Sequence, residues 1–352
     1  MRQRKPWRLA TIAIALVALV AALAGCGGSD SGQPAATVSS STTASDGQPK
    51  TMTKTTLVLD FVPNAIHAGI YRALAAGYYR DNGIDLKVIQ PTSTADTLRL
   101  IDAGKADFGL ADGLDVAGQI DRGLDIQAFM ALTQHPNGGV ITRASDRIAS
   151  GRDLEGKTVG ITGVPSDRAV LNTIVRNDGG DPSKVKVVTI GFNGVQDLES
   201  GRIAGFTGYW PADGVQVQVD GTPTRDFRLD ASGGPDYPGL IAFSTRKHIE
   251  QDPELVRGFA AATAHGYEDA IRDPQQALDD LLSQNKSLRE NITRAQLDAY
   301  EPLFQGEQQF GEIEVEHIQE LAEWMRANGL IRRLFTPEQF GGNELLPQDS
   351  GS

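Results

Sequence analysis

From about residue 55, short apolar runs alternate with amphipathic stretches. The runs "TTLVLDF" (55–61), "IDLKVIQ" (84–90), "ADFGLAD" (106–112), "DIQAFMAL" (125–132), "GVITR" (139–143), "TVGIT" (158–162), "KVKVVTI" (184–190) and "AGFTGYW" (204–210) are rich in β-branched and aromatic residues. Their length and composition predict strands. Between the first two, Ala65, Ile66, Ile70, Leu74 and Tyr78 recur at helical intervals, predicting a helix over 65–79. Further helices are expected around 96–103 and 166–177. Such alternation predicts βαβ units and mainly parallel sheets. Later segments have mostly helical spacing. Asp252 before Pro253 and Asp273 before Pro274 each read as an N-cap followed by proline in the first turn, and Gly329 reads as the C-cap of a helix over 314–328. No internal repeat is visible, and about 300 residues exceed one typical domain, so two α/β lobes are expected, the second inserted into the first.

The N-terminal region follows a different pattern. Arg2, Arg4, Lys5 and Arg8 precede an uncharged stretch over 9–24 that ends "LAGC" at Cys26. A basic start and a short apolar stretch predict a secretory signal over 1–25 rather than a spanning helix. "LAGC", holding the single cysteine of the chain, resembles a bacterial lipobox, so Cys26 is expected to carry a lipid. Residues 26–54 are dominated by Gly, Ser, Thr, Gln and Pro and predict a flexible tether. One cysteine excludes an internal disulfide and a cysteine-based zinc site. Removing the four leader cations from 33 basic residues leaves 29 against 45 acidic, a balance of about −16. Nucleic acid is thereby disfavoured, because phosphate contacts need clustered Lys and Arg.

Candidate chemistry concentrates at the ends of the predicted strands, where open α/β sheets bind ligands. Asn64 and His67 open the helix after "TTLVLDF". They read either as ligand contacts or as a helix cap and a satisfied buried histidine. Asp112 ends "ADFGLAD", and Ser166 and Asp167 follow "GVP" at the start of the next helix, where both contact and capping roles are open. Tyr237, ahead of Pro238, is a candidate to close over a ligand. No phosphate-loop spacing, G-x-S-x-G or H-E-x-x-H is present, and the histidines have no close metal-ligand spacing.

The segments "DFVPNAIHAGIYRALAAGYYRDNGIDLKVIQP", "LIDAGKADFGLADG", "LEGKTVGITGVPSD", "GYWPADGV" and "PDYPGLIAFSTRKHIEQDPELVRGFAAATAHGYEDAIRDPQQAL" together resemble the thiamine-pyrimidine-precursor-binding family of ABC-importer lipoproteins. The resemblance spans about 56–334, and P-N-x-x-H-x-G-x-Y is its most specific part. It implies the periplasmic-binding-protein type II fold, with lobe 1 over 55–142 and 243–345 and lobe 2 over 143–242. It places Phe61, Asn64 and His67 in the cleft. The family's Y-W-x-x-E motif matches Tyr209 and Trp210, but Asp213 stands where the family has glutamate. The motif implies an aromatic wall and a carboxylate pairing with an aminopyrimidine edge.

By this resemblance the chain is an extracytoplasmic monomer on the outer face of a bacterial membrane. It delivers a thiamine-type pyrimidine (hydroxymethylpyrimidine or formylaminopyrimidine) to a permease and its ATPase. Riboflavin is the alternative ligand, followed by alkanesulfonate or nitrate. One branch of the family consists of pyrimidine synthases, whose cofactor lysine would fall just after "DFGL", where this chain has Ala111. That branch also carries a cysteine-rich iron motif absent here. A binding protein without cofactor or metal is therefore expected, rather than an enzyme.

Overall fold

The computed structural model describes residues 52–306 and 308–347. The expected signal, Cys26 and nearly all of the tether lie outside the described residues. Along the chain run β1 (Thr53–Val58), a 3-10 turn (Ala65–His67), α1 (Ala68–Ala76), α2 (Tyr78–Asp81), β2 (Ile84–Ile89), α3 (Thr94–Asp102), β3 (Phe108–Ala111), α4 (Gly113–Asp121) and β4 (Ile126–Thr133). Next come β5 (Gly138–Arg143), β6 (Thr158–Ile161), α5 (Pro165–Asn177), β7 (Lys186–Thr189), α6 (Gly194–Glu199), β8 (Gly205–Tyr209), a π-turn (Trp210–Gly214), α7 (Val215–Val219) and β9 (Thr224–Arg228). The chain then forms β10 (Leu240–Thr245), α8 (Arg246–Gln251), α9 (Pro253–Arg272), α10 (Pro274–Gln284), α11 (Glu290–Phe304), α12 (Val315–Ala327) and α13 (Pro337–Phe340).

Two five-stranded sheets result, ordered β2-β1-β3-β10-β4 and β7-β6-β8-β5-β9. The expected strands are present, but the sheets are mixed rather than mainly parallel. β1 pairs parallel with β2 and β3, and β6 with β7 and β8. β10 is antiparallel to β3 and β4, and β5 to β8 and β9. The cause is the route between the lobes. The chain leaves each sheet from the carboxyl end of a strand, β4 or β9, on the edge facing the other lobe. The arriving strand, β5 or β10, therefore enters with its amino end at that edge and runs against its neighbours.

The expected lobe boundaries at 142/143 and 242/243 cut through β5 and β10. Sheet membership puts all of β5 in the second lobe and all of β10 in the first, so the passages are 134–137 and 229–239. They are tied together where His135 Nδ1 lies 2.9 Å from Asp236 Oδ2.

The helix expected over 65–79 is three pieces: a 3-10 turn, α1, and a short α2 after Gly77. α1 buries Ala68, Ile70, Tyr71 and Ala73 against α9, which supplies Val256, Phe259, Ala260 and Tyr267 to the same core. Pro253 and Pro274 occupy first turns as expected. Asp273 caps through Gln276 N at 3.1 Å, whereas Asp252 makes no side-chain cap bond. The last long helix ends at Ala327, and Asn328 and Gly329 follow it. Trp324 packs on the core, as expected of a structural residue. No helix among the described residues is long and apolar enough to cross a membrane.

Candidate functional site

A cleft of about 680 Å³, mouth included, opens between the facing edges of the two sheets. Its walls come from strand ends: Phe61 beyond β1, Asp112 and Asp115 beyond β3, Thr162, Ser166 and Asp167 beyond β6, Phe192 beyond β7, Thr207 and Tyr209 on β8, and Tyr237 ahead of β10. Gly138 and Gly139, which open β5, also line the cleft.

Aromatic rings meet across the opening. Phe61 from the first lobe lies edge-on to Phe192 at 4.5 Å and to Tyr209 at 6.1 Å, both on the second. These spacings suit edge-to-face packing. Phe192 escaped sequence reading because "GFNG" looks like an ordinary turn. The available signal was an aromatic just beyond a strand, whereas Phe61 was marked by the family resemblance.

Four carboxylates line the same cleft. Asp112 caps α4, accepting from Leu114 N at 2.8 Å, and its other oxygen accepts from the Tyr237 hydroxyl at 3.3 Å. Burial, with Asp115 close by, raises its pKa well above the usual carboxylate range. Asp115 accepts from Ser166 Oγ of the opposite lobe at 2.6 Å, and burial pushes its pKa up to about 7. Asp167 gathers the loop ahead of α5, accepting from Thr162 Oγ1, Gly163 N and Val164 N, and from Thr207 Oγ1 at 2.9 Å. Its pKa is also raised by burial. Asp213 sits in the π-turn, where the wide turn swings its carboxylate back to accept from Tyr209 N at 2.9 Å. Burial lifts its pKa to about 6. A side chain at Gly208 would put Cβ 2.7 Å from Asp213 Oδ2, so glycine there allows the carboxylate its position. Asp115 is an addition to the expected set of cleft contacts, and Asp167, open between contact and cap in the sequence, lines the cleft while holding the loop ahead of α5. Asp115 has the position of a first-turn acid, which usually serves the helix dipole, and so gave no separate signal.

The expected residues divide accordingly. Phe61, Asp112, Ser166, Tyr209, Asp213 and Tyr237 line the cleft. His67 does not: it is fully buried, its Nδ1 accepts from Asn64 N at 3.3 Å, and its Nε2 lies 2.8 Å from Asp60 Oδ1. With Nδ1 accepting, Nε2 holds the hydrogen and donates it to Asp60. Asn64 accepts from Ile66 N and donates to Val62 O, each at 3.0 Å. The pair forms a capping box in which histidine takes the place usually held by Glu or Gln. The expected ligand contact at His67 is thus replaced by a structural one. Asn64 is spent on the cap and borders only a neighbouring cavity. Trp210 also turns away from the cleft: its ring packs against the core of the first lobe, with the Arg228 guanidinium 4.3 Å from its centroid. No lysine, arginine or histidine lines the cleft among the described residues, and no cluster there could hold a metal.

Two α/β lobes, the second inserted into the first, around a cleft built from strand ends define the periplasmic-binding-protein fold of type II. The alkanesulfonate-binding protein SsuA from Xanthomonas axonopodis pv. citri superposes with a TM-score of 0.67 over 82% of this chain and 98% of its own, at 13% identity. The chain belongs to the NMT1/THI5-like family, whose profile matches residues 64–277. Its relatives include the formylaminopyrimidine-binding protein of Halalkalibacterium halodurans, 27% identical over 79% of this chain and 86% of that protein. The riboflavin-binding protein RibY of Chloroflexus aurantiacus is 27% identical over 97% and 99%. The 4-amino-5-hydroxymethyl-2-methylpyrimidine phosphate synthase of Schizosaccharomyces pombe is 24% identical over 70% and 73%.

Proposed function

We propose that this chain is the extracytoplasmic substrate-binding component of an ABC importer and that its cleft captures a flat nitrogen heterocycle, first a thiamine-type pyrimidine precursor. One observation carries the reading: Phe61, Phe192 and Tyr209 gather beside Asp213 in a cleft with four carboxylates and no cationic lining residue among the described residues. Ring faces stack on a planar guest, and a carboxylate accepts hydrogen bonds from an exocyclic amine, about 1.5–3 kcal/mol for a bond to a charged group. An alkanesulfonate or nitrate would meet the Asp213 carboxylate, ionised near neutral pH, with no guanidinium in the lining to compensate. A flavin satisfies the aromatic walls equally and is the second reading, favoured by the end-to-end match to the riboflavin-binding relative.

Catalysis is not part of the proposal. Ala111, which ends β3 beside the cleft, has no amine to form a covalent link to a cofactor. The lipid on Cys26, docking to a permease with its ATPase, and action as a monomer on the outer face of the membrane complete the reading. Replacing Cys26 with Ser is expected to abolish incorporation of labelled fatty acid, and incorporation equal to wild type would remove the anchor from the proposal.

Ligand class is tested by thermal unfolding with pyrimidines, thiamine, riboflavin, taurine and nitrate. A ligand that binds only the folded state stabilises it by about 2.7 kcal/mol at a hundredfold excess over Kd. Heterocycles are expected to raise the midpoint. A rise with taurine or nitrate and none with heterocycles would overturn the reading.

A further inference from the structure

A second cavity, of about 540 Å³, lies beside the cleft between α11 with its preceding loop and the π-turn with α7. Phe61 and Asp213 line both spaces, so the two meet along one aromatic ring and one carboxylate. The walls differ in character. The cleft is aromatic and acidic, whereas the second cavity sets neutral polar groups from both lobes among the apolar side chains of Val62, Pro63, Ala212, Leu288 and Ile292. Gln216 on α7 and Ser287 ahead of α11 spend no side-chain hydrogen bond within the described residues. Gln296 gives Nε2 to Ala212 O at 2.9 Å and keeps its amide oxygen, and the Thr293 hydroxyl donates to Arg289 O at 3.0 Å and keeps its lone pairs. Arg289, the one cation lining this space among the described residues, is held by Asp220 at 2.6 Å.

This inventory selects an occupant. A wholly apolar group would bury the half-buried Gln216 amide without replacing its hydrogen bonds. An anion would pass Asp213 to reach an arginine already neutralised. We propose that the cavity is an annex of the cleft that receives an uncharged tail, bearing hydroxyl or amide groups, from the heterocycle bound next door. The inference rests on the heterocycle reading above and narrows it: the ligand is a flat ring with a polar arm rather than a bare ring. The arm runs past Phe61 and Asp213 and joins α7 of one lobe to α11 of the other.

The test uses ring-matched pairs titrated calorimetrically into the full chain: lumiflavin against riboflavin, and hydroxymethylpyrimidine against formylaminopyrimidine. In the pair that binds, the member with the longer polar arm is expected to be tighter by about tenfold, the worth of one or two neutral hydrogen bonds. A double variant, Gln216→Ala with Ser287→Ala, is expected to bring it down to the level of its partner while the partner's own affinity holds. Equal affinities within the pair in the wild-type protein would overturn the annex and leave the heterocycle reading intact. So would a double variant that weakens both members alike, since that pattern means the residues act through lobe closure. If neither pair binds, the heterocycle reading fails and the annex with it.

Discussion

His67 has the sequence neighbourhood of a ligand contact and the hydrogen bonds of a structural residue. Its ring satisfies Asp60 on one side and the backbone of Asn64 on the other, all within the core. His67→Ala is therefore expected to leave a buried carboxylate without its donor and to cost about 3–5 kcal/mol of stability, as removal of one partner from a buried pair does. Ligand affinity of the folded protein should hold, and denaturant curves beside calorimetry would separate the two effects. Asp213 carries the opposite expectation. It keeps its carboxylate buried, with a pKa of about 6 against the ordinary 3.8. Between those values the folded state holds a proton that the unfolded state has lost, so ligand-free stability falls as pH rises through that window. Asp115 extends the fall to about pH 7. An amine donor needs the ionised carboxylate, so affinity should rise over the same range. Asp213→Asn is expected to flatten part of the stability slope, to stabilise the ligand-free protein near neutral pH, and to weaken heterocycle binding by about tenfold or more. Stability titrated from pH 4 to 8 with and without the substitution checks the sign. Residue types at strand ends, with the family's aromatic and carboxylate motif, make Phe61, Asp112, Tyr209 and Asp213 legible in the sequence. His67 and Trp210 mislead because sequence proximity to the cleft does not specify which way a ring points.

At the scale of elements, apolar spacing located strands and helices well because burial imposes those periods. It carried no information on strand direction, since a period of two reads the same both ways. The reversal of β5 and β10 follows only from knowing which strands precede a change of lobe. The π-turn was equally hidden: "YWPADG" continues an apolar run, and its role emerges from the bond between Asp213 and Tyr209 N. Helix crossing is a further case. A Cβ on Gly266 of α9 would lie 2.2 Å from the carbonyl oxygen of Gly69 on α1. Gly266→Ala should therefore force the two helices apart and destabilise by about 1–3 kcal/mol, the usual cost of overpacking. Neither glycine lines the cleft, so affinity should change little, which parallel denaturation and titration would show.

At the scale of the molecule, several contacts cross between lobes: Ser166 to Asp115, Phe61 to Phe192 and Tyr209, Gln296 to Ala212 O, and Arg289 to Asp220. Closure around ligand is a common motion for this fold. Ser166→Ala should weaken the closed form, lowering affinity and raising the radius of gyration in solution scattering at subsaturating ligand, whereas unchanged scattering and affinity would remove that bond from the closing set.

The routing of the chain has another consequence. Thr133 and Leu240 are paired neighbours on the first sheet, and Gly139 pairs with Arg228 on the second. The inserted lobe thus begins and ends at adjacent points, and so does the gap it fills. Residues 138–228 form a cassette that recombination between relatives could exchange without disturbing either sheet. Such an exchange would import Asp167, Phe192, Tyr209 and Asp213 together, while Phe61, Asp112 and Asp115 stay behind. On the proposed reading, ligand preference would change by half-sites in a single exchange, and a chimera spliced at the two passages would reveal which half dictates the choice.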